Sequence, residues 1–206
     1  MTALARRNYY TPEEYLALER KAENKSEYIA GQIFAMSGVS REHSLINTNL
    51  LRVLSSQLLD LPCEVHASDL RVKVGARVSG RSLYTYPDIT VVCGDAQFED
   101  SQVDTLLNPT LIIEVLSPST EAYDRGAKFG YYRQLPSLRE YLLVAQDRTL
   151  VEHFMREDDG WLLTESTEST AVVKLPSISC EVPMAEIYRK IVFPAEWTGE
   201  DPQTQP

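Results

Sequence analysis

Two short apolar runs constrain this chain more than anything else in it. Tyr86-Pro87-Asp88-Ile89-Thr90-Val91-Val92 and Leu111-Ile112-Ile113-Glu114-Val115-Leu116-Ser117-Pro118 are rich in β-branched residues, as buried strands are. Each carries one carboxylate, Asp88 or Glu114, where a core strand needs none. An unpaired carboxylate in low dielectric costs roughly several kcal/mol, so each calls for a partner such as a metal ion or a nearby Arg or Lys. The spacing between the runs suits neighbouring strands joined by a loop.

Composition sets the frame around this pair. At 206 residues the chain is long enough for one well-buried domain. No apolar run approaches the roughly 20 residues that cross a membrane, and Met1 to Tyr10 lacks the apolar segment of a secretory signal. Cys63, Cys93 and Cys180 are far apart in sequence and form no C-x-x-C pair, which predicts buried free thiols in a reducing cytoplasm and no zinc site. The net charge of −10 weighs against a nucleic-acid partner, because phosphate contacts call for basic surface. Its distribution softens that objection: residues 151–206 carry 11 acidic and 4 basic side chains, and residues 1–150 carry 19 and 16.

The remaining elements follow in chain order. Thr11-Pro12-Glu13-Glu14 starts a helix that runs to about Ala22, with a capping box and proline at the first position. Ser26 to Met36 reads as a hairpin about Gly31, with Glu27 and Ile29 on one face and Tyr28 and Ala30 on the other. Ser40 caps a long helix over about 41–59. Strands follow near Glu64–His66 and Asp69–Val74, then a loop over 75–81. Residues 94–105 read as a polar loop before the Glu114 run. Ser117 to Thr120 leads into a helix over about 121–134, and strands at 140–145, 150–155, 161–164 and 171–175 precede a short helix at 184–190. The order predicts a single α+β domain over 9–193, a mixed sheet with helices packed on it, and a disordered tail over 194–206.

If the Asp88 and Glu114 strands are neighbours, two carboxylates meet at one end of the sheet. Oxygen ligands so arranged suit Mg²⁺ or Mn²⁺, with water completing the shell. Lys128 lies on the helix after the Glu114 strand, sharing a face with Asp124 and Tyr132, so its amine can fold back over the strand end. The same residues also read as a solvent-exposed Asp124–Lys128 ion pair.

The combination of Glu27-Tyr28-Ile29-Ala30-Gly31-Gln32-Ile33, His43, Tyr86-Pro87-Asp88, Glu114-Val115-Leu116-Ser117-Pro118-Ser119-Thr120, Lys128 and Tyr132 resembles the Uma family of restriction endonuclease-like proteins, within the PD-(D/E)XK nuclease superfamily. The resemblance covers roughly residues 9–193. It implies a restriction endonuclease-like core with an extra N-terminal hairpin and C-terminal strands, and a metal-dependent phosphodiesterase site. Pro87-Asp88 matches the superfamily's Pro-Asp, and Glu114 its second acid. Two residues after Glu114, where the pattern has lysine, this chain has Leu116. The matching amine is then Lys128, with Lys73 as the alternative donor. Glu27 is implied as a third carboxylate, although the residue alone reads equally as a half-exposed strand position. His43 reads more readily as a capping or packing residue. Arg71, Lys73, Arg77 and Arg81 form the one basic cluster, either a solvated loop or a phosphate-contacting flap.

The expected activity is therefore Mg²⁺-dependent (or Mn²⁺-dependent) hydrolysis of DNA phosphodiester bonds by an endonuclease, with Asp88 and Glu114 as metal ligands and Lys128 and Glu27 beside them. The alternative is a non-catalytic nucleic-acid-binding or interaction module on a nuclease scaffold. A homodimer is expected if both strands of a duplex are cut.

Overall fold

The computed structural model describes residues 9–75 and 82–193. Its elements are α1 (Pro12–Glu19), β1 (Ser26–Ile29), β2 (Gln32–Ala35), α2 (Arg41–Gln57), β3 (Cys63–Ala67), β4 (Arg71–Val74), β5 (Leu83–Thr85), β6 (Ile89–Cys93), β7 (Thr105–Leu106) and β8 (Leu111–Leu116). The helical segment after β8 comprises α3 (Glu121–Tyr123), a π-turn (Asp124–Lys128) and α4 (Phe129–Tyr132). The chain continues through β9 (Glu140–Ala145), β10 (Val151–Glu157), β11 (Gly160–Ser166), β12 (Val172–Leu175), β13 (Cys180–Pro183) and α5 (Met184–Ile187).

The strands divide between two larger sheets and one small pair. One sheet has the order β2-β1-β5-β4-β7, the other β11-β10-β9-β8-β6-β3, and β12 pairs with β13. The second sheet is mixed: β8 and β9 run parallel, and its other pairs are antiparallel. Parallel neighbours require a crossover, and the α3–π–α4 segment supplies it. Alternation along β8 explains the layering. Leu111, Ile113 and Val115 face a core made with α2, the β12–β13 pair and α5. Ile112 and Leu116 face a second core shared with α4 and with Val72, Val74 and Leu83 of the first sheet. A third cluster, Tyr15, Leu16, Tyr28 and Tyr84, packs α1 on the outer face of that first sheet.

Local chemistry accounts for the elements. Thr11 and Glu14 complete the capping box of α1. Ser40 caps α2 by accepting the His43 backbone N–H. The β1–β2 turn places Ala30 and Gly31 at φ 47° and 98°, the left-handed pair that a tight two-residue hairpin needs. A Cβ on Gly31 would stand 2.7 Å from the Tyr9 ring, so glycine is required there on two counts.

Several expectations change. Cys63 and Cys93 are not free thiols: they face each other across β3 and β6 with Cα atoms 4.0 Å apart and form a disulfide. Only strand pairing brings them together, which spacing alone does not reveal. Cys180 is free and buried, as expected. Of the basic cluster, the two described members are not solvated either. Arg71 and Lys73 are buried, with Lys73 held 2.7 Å from Glu99 and Arg71 against Asp104. The expected polar loop supplies both acids. Arg77, Arg81 and the 194–206 tail lie outside the described residues. No helix among the described residues is long and apolar enough to cross a membrane.

Asp104 joins two cations, because Arg20, at the C-cap of α1, also donates to it at 2.8 Å. The hydrogen bond from Arg20, with Arg71 adding to it against partial burial, holds the Asp104 carboxyl well below the usual carboxylate range. Its stabilisation is therefore full above the unfolded-state value near pH 4 and drains away as pH falls further. Asp104→Asn should lower stability by about 1–2 kcal/mol at pH 7, a figure reduced for its partial exposure. Urea midpoints should show that gap shrinking below about pH 4.

Candidate functional site

Asp88 directly precedes β6, and Glu114 sits within β8. The antiparallel register sets Ile89 opposite Ile113, which brings the two carboxylates side by side. The backbone N–H of Val115 donates to Asp88 Oδ2 at 2.8 Å, and that of Asp88 approaches Glu114 Oε2 at 3.4 Å. Each carboxylate is thus fixed partly by the other strand's backbone. From the first turn of α2, His43 Nε2 reaches Asp88 Oδ1 at 2.9 Å.

The period of two turns Glu114 towards the space between the two sheets, on the face of Ile112 and Leu116. There it meets Lys128, whose Nζ lies 2.9 Å from Glu114 Oε1, and Tyr132, whose hydroxyl donates to the same oxygen at 2.9 Å. Lys128 also contacts Glu27 at 3.3 Å and Asp124 at 3.5 Å. Glu27 points inward from β1 and accepts the Thr85 hydroxyl. The π-turn carries Asp124 and Lys128 at its two ends; such wider turns recur at functional sites.

Burial dominates the electrostatics. It pushes the Glu114 carboxyl up against the pull of Lys128, and Asp124 and Asp88 add to the push. It raises Asp124 likewise, again opposed by Lys128. For Lys128 burial works against the charge, yet Glu114, together with Tyr132, Glu27 and Asp124, outweighs it and holds the amine well above its ordinary value. Lys128 therefore remains an ammonium. Such a group can orient a water or steady a developing negative charge, but it does not take up a proton at neutral pH.

These groups line one cleft of about 330 Å³, together with Tyr123, Ser117 and residues of the β2–α2 connection. His43 Nδ1 and the Tyr123 hydroxyl are buried in it without a hydrogen-bond partner among the described residues. No group of three or more His, Cys, Asp or Glu that could hold a metal occurs among the described residues. What the cleft offers is two adjoining carboxylates and room beside them.

All four residues singled out in the sequence, Asp88, Glu114, Lys128 and Glu27, come together here. Lys73, the alternative amine, does not. Alternation along β4 turns Val72 and Val74 into the inter-sheet core and Lys73 to the opposite face, against Glu99. The exposed Asp124–Lys128 pair is also corrected, since both side chains are buried. His43, read from sequence as a capping or packing residue, reaches Asp88 with its ring, a contact that a histidine three residues after a helix cap does not signal. Removing the ammonium should leave its acids uncompensated. Lys128→Met should lose about 3–5 kcal/mol of stability. The raised carboxyls hold their protons at low pH, so the deficit should be larger at pH 8 than at pH 5, measured by urea denaturation at both.

Comparison with known proteins agrees with this architecture. The family model described as "Uma2: Putative restriction endonuclease" matches residues 12–185. Two proteins of Synechocystis, uncharacterized proteins slr1290 and sll1609, are each 38% identical. The first match covers 89% of this chain and 93% of the relative, the second 84% and 97%. A crystal structure from Anabaena variabilis, titled as a putative nuclease belonging to DUF820, superposes with a TM-score of 0.71. It is 21% identical and covers 87% of this chain and 97% of its own, which establishes a shared fold. The chain belongs to the Uma2 family of restriction endonuclease-like proteins.

Proposed function

We propose that this chain is a metal-dependent endonuclease that hydrolyses phosphodiester bonds in DNA, with Mg²⁺ or Mn²⁺ held by Asp88 and Glu114. The observation that carries the reading is the charge imbalance of the buried cluster. Glu27, Glu114 and Asp124 surround one ammonium, and Asp88 adjoins them. A divalent cation beside Asp88 and Glu114 supplies positive charge where Lys128 alone falls short. The donor set fits a hard ion. Two carboxylates with water in the remaining positions is an ordinary Mg²⁺ arrangement and needs no closed protein cage. Among the described residues Glu114 Oε2 has only the long contact from the Asp88 N–H, which leaves it capacity to accept an ion.

When bound, such an ion lowers the pKa of a coordinated water and stabilises charge on a phosphoryl group. The chain's own residues do the rest. The Val115 backbone and His43 fix the orientation of Asp88. Tyr132 and Lys128 fix Glu114 by occupying its Oε1. Lys128, kept protonated, positions a water or the phosphate near the two acids as a point charge. Leu116, at the position where the superfamily pattern has lysine, packs into the inter-sheet core, so the amine is delivered from the following helical segment.

Plasmid and oligonucleotide cleavage with Mg²⁺ or Mn²⁺ tests this reading. The wild type should cut at least one of these substrates, and Asp88→Ala and Glu114→Ala should each reduce that rate at least 100-fold, roughly the scale of losing a principal electrostatic group. Equal activity in wild type and Asp88→Ala would overturn the assignment. His43→Ala should weaken Mn²⁺ binding about 10- to 100-fold by calorimetric titration, as loss of a ligand-orienting partner does.

A further inference from the structure

The cleft has a mixed lining. Asp88, Glu114, Lys128 and Ser117 make part of the lining polar, whereas Phe34, Met36 and Val39 bring large apolar side chains to it. These three come from β2, an edge strand, and the connection after it, and they are 47%, 37% and 61% exposed.

Charge narrows what can enter. Duplex DNA carries one negative charge per 1.7 Å or so of axis, and proteins that grip it set several Lys or Arg against its phosphates. Here most described cations already face a carboxylate. Arg20 lies against Asp100 and Asp104, Lys25 against Asp69, Arg52 against Glu186, and Arg148 against Asp147. Arg71 and Lys73 are buried in pairs of their own. The described surface therefore offers little free positive charge to track a double helix. A cleft of about 330 Å³ is also at the small end of ligand sites, which run from roughly 300 to 1,000 Å³. That is space on the scale of one small ligand.

Resting on the proposed phosphodiesterase site, we infer that the cleft takes an unpaired nucleic-acid strand, with a base stacked on Phe34 and the adjoining phosphate at Asp88 and Glu114. Stacking on an aromatic ring is tolerant of sequence, because every base has a π-face, and an unpaired strand exposes its bases to such a ring whereas a duplex does not. A single chain is then sufficient for cleavage, because only one strand is cut.

The test is fluorescence anisotropy of a labelled oligo-dT, the same-length RNA and a blunt duplex, with Ca²⁺ replacing Mg²⁺ to hold substrate uncut. The unpaired strand should bind at least tenfold tighter than the duplex, and the RNA comparison identifies which sugar is preferred. Phe34→Ala should weaken the strand roughly 5- to 150-fold, the range expected for one lost base–aromatic stack, and Phe34→Tyr should restore it. Equal or tighter duplex binding, no binding of any strand, or unchanged binding by Phe34→Ala would each overturn the inference. A Phe34→Ala variant that binds the strand normally but sediments as a smaller species would reassign the rim to a contact between two copies. The outcomes separate from those of the nuclease reading: strand binding without cleavage defeats the nuclease alone, whereas duplex cleavage without strand preference defeats only this inference.

Discussion

The interaction on which the site depends is the buried contact between the Lys128 ammonium and Glu114, with Glu27 and Asp124 close behind. An ion pair so enclosed contributes little net stability over an apolar replacement, because desolvation offsets most of its attraction. What it does is fix positions. One ammonium joins β1, β8 and the π-turn, so the two sheets and the crossover helix share a single charged junction. Removing the ammonium leaves its acids buried and uncompensated. Leu116, Phe129 and Leu143 belong to the apolar core between the sheets, on the face of β8 that also carries Glu114.

That junction links fold to chemistry. Asp88 and Glu114 adjoin because β6 and β8 pair in a register that places the end of one strand beside the middle of the other. Asp88 belongs to the helix side through His43, and Glu114 to the inter-sheet side through Tyr132 and Lys128. The cleft thus forms where three layers meet, and each layer contributes at least one polar group. Its acidity, together with an amine that keeps its proton, is the ground on which we propose a divalent ion there.

Much of this was legible in the residues, and the reasons differ by residue. Asp88 and Glu114 stood out because a carboxylate in a β-branched apolar run is costly without a partner. Lys128 followed from its place on the next helical segment, although the π-turn that aligns it with Asp124 leaves no mark in hydrophobic periodicity. Glu27 was ambiguous because a four-residue strand does not announce which of its faces is covered. Its partners arrive from distant parts of the chain. The same limit hid the Cys63–Cys93 bond, the His43–Asp88 contact and the burial of Arg71 and Lys73, all of which are long-range pairings. Local pattern carries information about elements, whereas the contents of a site depend on register and layer order.

Diffraction from crystals soaked in Mn²⁺, recorded for its anomalous signal, tests the central claim most directly. The account predicts one strong peak within coordination distance of both Asp88 and Glu114, with Lys128 beside it and the peak absent from Asp88→Ala crystals. No peak between the two carboxylates at saturating Mn²⁺, or one that persists in Asp88→Ala, would contradict it.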